Sequence, residues 1–213
     1  MREDLIEVVA ILDMSGSMQG IANDTIGGFN AYVSELSKQE QEVRITLLTF
    51  NTQNQLIWQH KNVKTCGAID NQIYSPNGGT ALVDALGTAI QNMQMHISVT
   101  NESEKPGKVS FFVSTDGEEN SSRQFSKEQV QKMVTKATED EKWEFIFAGA
   151  NIDAFAAGQA LGFQAKNIAN IENDGIGQRA MYQAMACQQS CQAPMACNAQ
   201  QIYNENSKKM RAK

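Results

Sequence analysis

The sequence predicts an α/β domain of three layers: a doubly wound, mostly parallel sheet with one antiparallel edge strand and helices on both faces. Three observations predict it. Short continuous apolar runs, Val8–Leu12, Val109–Val113 and Trp143–Ala148, read as strands buried on both faces. Segments whose apolar residues recur at helical spacing alternate with these runs. Two of the runs end in small turns rich in side-chain oxygen, as strands do at the crevice above such a sheet.

The elements follow in order. After the first strand, Ile21, Ile26, Phe29, Val33 and Leu36 predict a helix over about residues 22–38. Gly27-Gly28 weakens it by roughly 1 kcal/mol per glycine, a cost consistent with close packing of the helix on the sheet. Val43–Phe50 is a second strand; Asn51–Asn54 is a turn, and Gln55–Val63 reads as a strand that pairs back antiparallel across it. Tyr74–Gly79 reads as a loop, holding Thr80 at the head of a helix over 81–95. A polar connector, 101–107, leads into the strand ending at Asp116. Phe125–Thr138 is a helix with Ser126 as its N-cap. A strand over 143–148, a short helix over 154–161, a last strand over 165–169 and a helix from Asp174 to about Cys187 complete the domain. Residues 188–213 are rich in Gln and Asn, have few aliphatic anchors and contain Pro194; they read as a peripheral or frayed extension of a domain covering 1–187.

At 213 residues the chain suits one well-cored domain. A hydrophobic content of 41% with 20% charged residues is that of a folded soluble protein. The net charge of −6 argues against nucleic acid as a partner, because phosphate neutralisation needs clustered Lys and Arg. No run approaches the ~20 apolar residues that span a bilayer, so no membrane partner is expected. Met1-Arg2-Glu3-Asp4 carries two acids and lacks the apolar stretch of a secretory signal, which predicts a cytoplasmic protein. Cys66, Cys187, Cys191 and Cys197 are then expected as thiols, since the last three lack a second close pair for zinc.

Chemistry concentrates in three places. Asp13-Met14-Ser15-Gly16-Ser17 follows the first strand, Gly78-Gly79-Thr80 precedes a helix, and Thr115-Asp116-Gly117 follows a later strand. Two carboxylates and three hydroxyls suit a hard divalent cation such as Mg²⁺, which takes oxygen ligands in octahedral array at roughly 2.0–2.1 Å. Taken alone, Thr80 reads as a helix cap; the flanking clusters make it a candidate ligand. Asp13 is expected at a solvent-facing crevice, Glu118 and Glu119 as solvated rim carboxylates, and Asn120 as a polar loop residue or a clamp on the loop carrying Asp116.

Asp-x-Ser-x-Ser, a distant Thr and a distant Asp, here Asp13, Ser15, Ser17, Thr80 and Asp116, resemble the metal-ion-dependent adhesion site of von Willebrand factor A domains. The resemblance covers about Leu5 to Ala186 and includes the contexts Gly79-Thr80-Ala81-Leu82 and Thr115-Asp116-Gly117-Glu118-Glu119-Asn120. It implies Mg²⁺, with Mn²⁺ or Ca²⁺ also accommodated. Ser15 and Ser17 would bind directly, Asp13 through water or at close range, and Thr80 and Asp116 by exchange between direct and bridged contact. It also implies a binding module rather than an enzyme, with a protein partner presenting an Asp or Glu. The match is to the small stand-alone bacterial or phage type, in an intracellular assembly or stress-related setting. The competing reading is a Mg²⁺-dependent phosphotransferase or hydrolase using the same strand-end aspartates. Against it, position 15 is serine where such enzymes of the haloacid dehalogenase type carry a second aspartate, and phosphate-loop, nucleophile-elbow and dinucleotide motifs are missing.

Overall fold

The computed structural model describes residues 1–190 and 198–212. Its sheet has six strands in the order β3-β2-β1-β4-β5-β6. They are β1 (Arg2–Asp13), β2 (Glu42–Phe50), β3 (Asn54–Asn62), β4 (Pro106–Thr115), β5 (Glu144–Ala150) and β6 (Ile168–Ile171). Every pairing is parallel except that of β3, which runs back antiparallel along β2 at the edge. The predicted last strand lies three residues further on, because residues 165–167 form a short 3-10 turn.

Helices α1 (Ala22–Leu36), α2 (Leu82–Val99), α3 (Lys127–Glu139), α4 (Ala154–Ala160), α5 (Gly175–Ser190) and α6 (Ala199–Arg211) cover both faces. Alternation along β1 assigns its side chains to two cores. Ile6, Val8, Ala10 and Leu12 pack with α1, α5 and α6, while Val9 and Ile11 pack with α2, α3 and α4. Ser126 caps α3 as predicted, in a capping box with Gln129. Gly28 makes its close approach to α5 rather than to the sheet: a Cβ there would sit 2.5 Å from Cδ2 of Tyr182. Gly27 faces open space.

Where the sequence reads as a peripheral or frayed extension, the structure has α6. Ala199 and Tyr203 recur at the spacing of one helical face and are buried in the α1–α5 core. The Tyr203 hydroxyl accepts the backbone N–H of Glu172 at 2.8 Å, and Arg211 pairs with Glu172 and Asp174. Few aliphatic residues hide this face in the sequence, because one aromatic and one alanine carry most of it. Cys191 and Cys197 lie outside the described residues. Among the described residues, no helix is long and apolar enough to cross a membrane.

Candidate metal centre

The strand order reverses about β1: its chain successor β2 lies on one side and β4 on the other. The carboxyl ends of β1 and β4 therefore open onto the crevice where doubly wound sheets bind ligands. Asp13 ends β1 and Asp116 follows directly on β4.

The first loop is held in shape by Asp13 itself. Its Oδ1 accepts the backbone N–H of Ser15 at 2.7 Å, and its Oδ2 accepts the Thr115 hydroxyl at 2.5 Å. Contrary to the expected solvent-facing position, Asp13 is fully buried, because the 74–80 loop and the end of β4 close over it. The Tyr74 hydroxyl donates to the Asp13 carbonyl. Burial pushes the Tyr74 phenol well above its usual range, so it stays protonated as a donor. The Asp13 carboxyl is likewise raised, first by burial and further by the charge of Asp116, against the lowering effect of its two donors.

The remaining predicted residues converge. Ser15 Oγ and Ser17 Oγ are 3.0 Å apart, and the Ser17 hydroxyl lies 2.6 Å from Oδ1 of Asp116. Gly117 leaves a bare pocket wall. The point its missing methyl would fill is 3.1 Å from Thr80 Oγ1, 3.5 Å from Ser17 Oγ and 3.9 Å from Asp13 Oδ2. All five residues thus border one small space, four of them buried and Ser17 exposed at its mouth.

Thr80 is not the cap of α2. The N-cap is Ala81, and its side chain makes no capping bond. That task falls to the loop after Asp116: Glu119 accepts the N–H of Val83 at 2.9 Å, and Ser122 Oγ accepts that of Asp84 at 3.0 Å. Asp84 reciprocates by accepting the N–H groups of Arg123, Gln124 and Phe125. Glu119 is therefore a structural acceptor rather than a solvated rim carboxylate, since it also takes N–H bonds from Ser121 and Ser122. Glu118 is exposed as expected. Asn120 acts as the clamp: its Oδ1 accepts the Thr80 N–H at 2.9 Å while its own N–H donates to the Thr80 carbonyl.

The donor set fits a hard cation. Adjacent ligands in an octahedron of ~2.1 Å bonds are about 3.0 Å apart, the separation found between the two serine oxygens. Among the described residues, neither Asp13 nor Asp116 has an ion pair with Lys, Arg or His; their partners are Ser15, Ser17, Thr115 and Asn173. Thr115, Tyr74 and Asn173 escape a reading of the sequence as site residues. Thr115 adjoins Asp116 and is visible in principle; Tyr74 and Asn173 carry no local pattern.

A profile of the von Willebrand factor type A domain matches residues 7–187. The chain belongs to that family. Solved A-domain folds agree with it. One is a von Willebrand factor type A protein from Catenulispora acidiphila (TM-score 0.57, 13% identity, 88% of this chain and 43% of that one). The pilus adhesin SpaC from Lactobacillus rhamnosus GG aligns with a TM-score of 0.62 at 13% identity, over 88% of this chain and 30% of that one. The manganese-loaded TRAP protein of Plasmodium vivax aligns with a TM-score of 0.54 at 17% identity, over 83% of this chain and 71% of that one. The A domain described here spans less than half the length of the Catenulispora and Lactobacillus chains. Among curated proteins, no sequence matches it.

Proposed function

We propose that this A domain is a divalent-cation-dependent protein-binding module. Asp13, Ser15, Ser17, Thr80 and Asp116 would hold Mg²⁺, with Mn²⁺ or Ca²⁺ as substitutes, and a carboxylate from a partner protein would complete the coordination. The observation that carries this reading is the ring of oxygens around one space, with no cationic side chain among the described residues paired to its two aspartates. The manganese carried by the Plasmodium vivax relative supports a divalent ion in an A-domain fold.

Both Asp13 oxygens already accept hydrogen bonds within the protein, and the Ser17 hydroxyl can donate its proton to Asp116 while its lone pair faces the cation. Neutral hydroxyls in direct contact leave the ion's charge under-compensated, which favours an anionic sixth ligand. Beside the site a cleft of about 330 Å³ has apolar walls from Leu82, Val83, Ile152 and Ala156 and a charged rim that includes Glu118, Asp153 and Lys127, offering both kinds of contact to residues flanking that carboxylate. Residues 1–187 constitute the module in this proposal, and α6 is an added helix on its β6 side.

Selection of displayed peptides against the full chain in Mg²⁺ tests the reading. Selected binders should dissociate in chelator and lose affinity when one Asp or Glu is replaced by its amide. Binders that survive both treatments at this face would contradict it.

A further inference from the structure

The chain has two histidines, and they meet each other beside a buried glutamate. Glu7, on β1, is fully buried. Its Oε2 lies 3.0 Å from Nδ1 of His60, and its Oε1 is buried without a hydrogen-bond partner among the described residues. His60 comes from edge strand β3 and His96 from the later half of α2. Their rings stack with centroids 3.6 Å apart and planes 19° from parallel. One ligand atom from each of the three residues lies within 4.8 Å of the others.

The backbone of β3 is irregular where it presents His60. Its register with β2 shifts between Ile45 and Leu47, and His60 adopts φ +47°, a left-handed conformation uncommon for residues other than glycine. Its N–H is turned onto Thr46 Oγ1 at 3.1 Å. Such irregularities re-aim a side chain, here toward Glu7.

An ordinary ion pair does not account for the cluster. It would satisfy Oε2 and leave Oε1 orphaned, and it would stack a charged ring on His96. Arg44, the register partner of Glu7 on β2, is engaged with Glu42 at 2.8 Å.

We propose that Glu7, His60 and His96 form a second metal site, for a borderline transition-metal ion such as Zn²⁺, that staples β3 and α2 to the centre of the sheet. Two imidazoles and a carboxylate select such ions over Mg²⁺, which prefers all-oxygen sets. Bonds of about 2.0–2.2 Å in a tetrahedron would bring the ligand atoms to roughly 3.4 Å apart. The Glu7–His60 pair is already close to that spacing, and the two rings, now 19° from parallel, would open by side-chain rotation so that both in-plane lone pairs aim at one ion. A cleft of about 10 Å³ beside His60, walled by Val9, Leu48, Leu56, Ala89 and Met93, has room for one water-sized fourth ligand. Glu7 precedes Asp13 by six strand residues, roughly 20 Å, so the two metal sites are independent.

The full chain, stripped with chelator, is dialysed against Zn²⁺ in excess Mg²⁺ and its bound zinc counted. About one equivalent is expected. Zinc should persist in Asp13→Ala and in a variant with Cys187, Cys191 and Cys197 all changed to Ser. It should be lost in His60→Ala and in His96→Ala. His96→Gln, which keeps size and hydrogen bonding without an imidazole, guards against a folding failure and should also lose it. Zn²⁺ should raise the melting temperature of the parent and not of His96→Gln. Co²⁺ in place of Zn²⁺ should give the intense visible absorption of a four-coordinate centre. A parent that retains no zinc, or zinc that survives His96→Gln and disappears with the cysteines, overturns the proposal.

Discussion

The hydroxyl of Ser17 lies 2.6 Å from Oδ1 of Asp116, joining residues 99 positions apart across the crevice between β1 and β4. Ser17 is exposed and Asp116 buried, so the pair links the mouth of the site to its floor. Removing the hydroxyl deletes one of the proposed cation ligands without opening a core cavity. Ser17→Ala is expected to weaken Mg²⁺ binding at least tenfold in calorimetric titration while costing about 1 kcal/mol of stability, the worth of its one hydrogen bond to Asp116.

Asp13→Ala should separate from Ser17→Ala in denaturation. It strips the acceptor from the Ser15 N–H and the Thr115 hydroxyl, both in buried surroundings. Chemical unfolding of the metal-free protein should show a loss of about 1–3 kcal/mol, together with loss of Mg²⁺ binding. Unchanged stability would mean that the loop does not depend on this carboxylate.

Glu119→Gln tests the support beneath the site. Glu119 receives donors from Val83, Ser121 and Ser122, and an amide turns an N–H₂ toward some of them. A stability loss of about 1–3 kcal/mol is expected. Mg²⁺ affinity should fall with it, although Glu119 is not among the proposed ligands, because the same loop holds Thr80 through Asn120. Thermal unfolding and calorimetry on one preparation check both.

Tyr203→Ala should cost about 3 kcal/mol, the scale of truncating a large buried aromatic. The side chain is 4% exposed, packs in the α1–α5 core and accepts the Glu172 N–H. A change near zero in the unfolding midpoint would show that α6 is dispensable to the core.

What was legible in the sequence was what local pattern controls. β1, β4 and β5 are continuous apolar runs, and the antiparallel return of β3 follows from the short turn at 51–53. Asp13, Ser15, Ser17 and Asp116 lie at or just past the ends of β1 and β4, and Thr80 lies just before α2; they were visible because such junctions can be read from local pattern. The reach of Glu119 to the α2 N-terminus and the burial of Asp13 under Tyr74 depend on loops packing together, which no spacing encodes. The packed face of α6 rests chiefly on Tyr203 and Ala199, too sparse for an apolar period to stand out. The meeting of His60 with His96 requires the register shift between β2 and β3 and the placement of α2 on the sheet, both tertiary outcomes.

The central claim is tested most directly by a crystal structure grown in Mn²⁺, with anomalous scattering used to locate the ion. The account predicts one peak in the crevice bordered by Thr80, Asp13 and Asp116, at direct bonding distance, roughly 2.2 Å, from Ser15 Oγ and Ser17 Oγ. Absence of a peak there at saturating Mn²⁺, or a peak that persists there in Asp13→Ala, would contradict it.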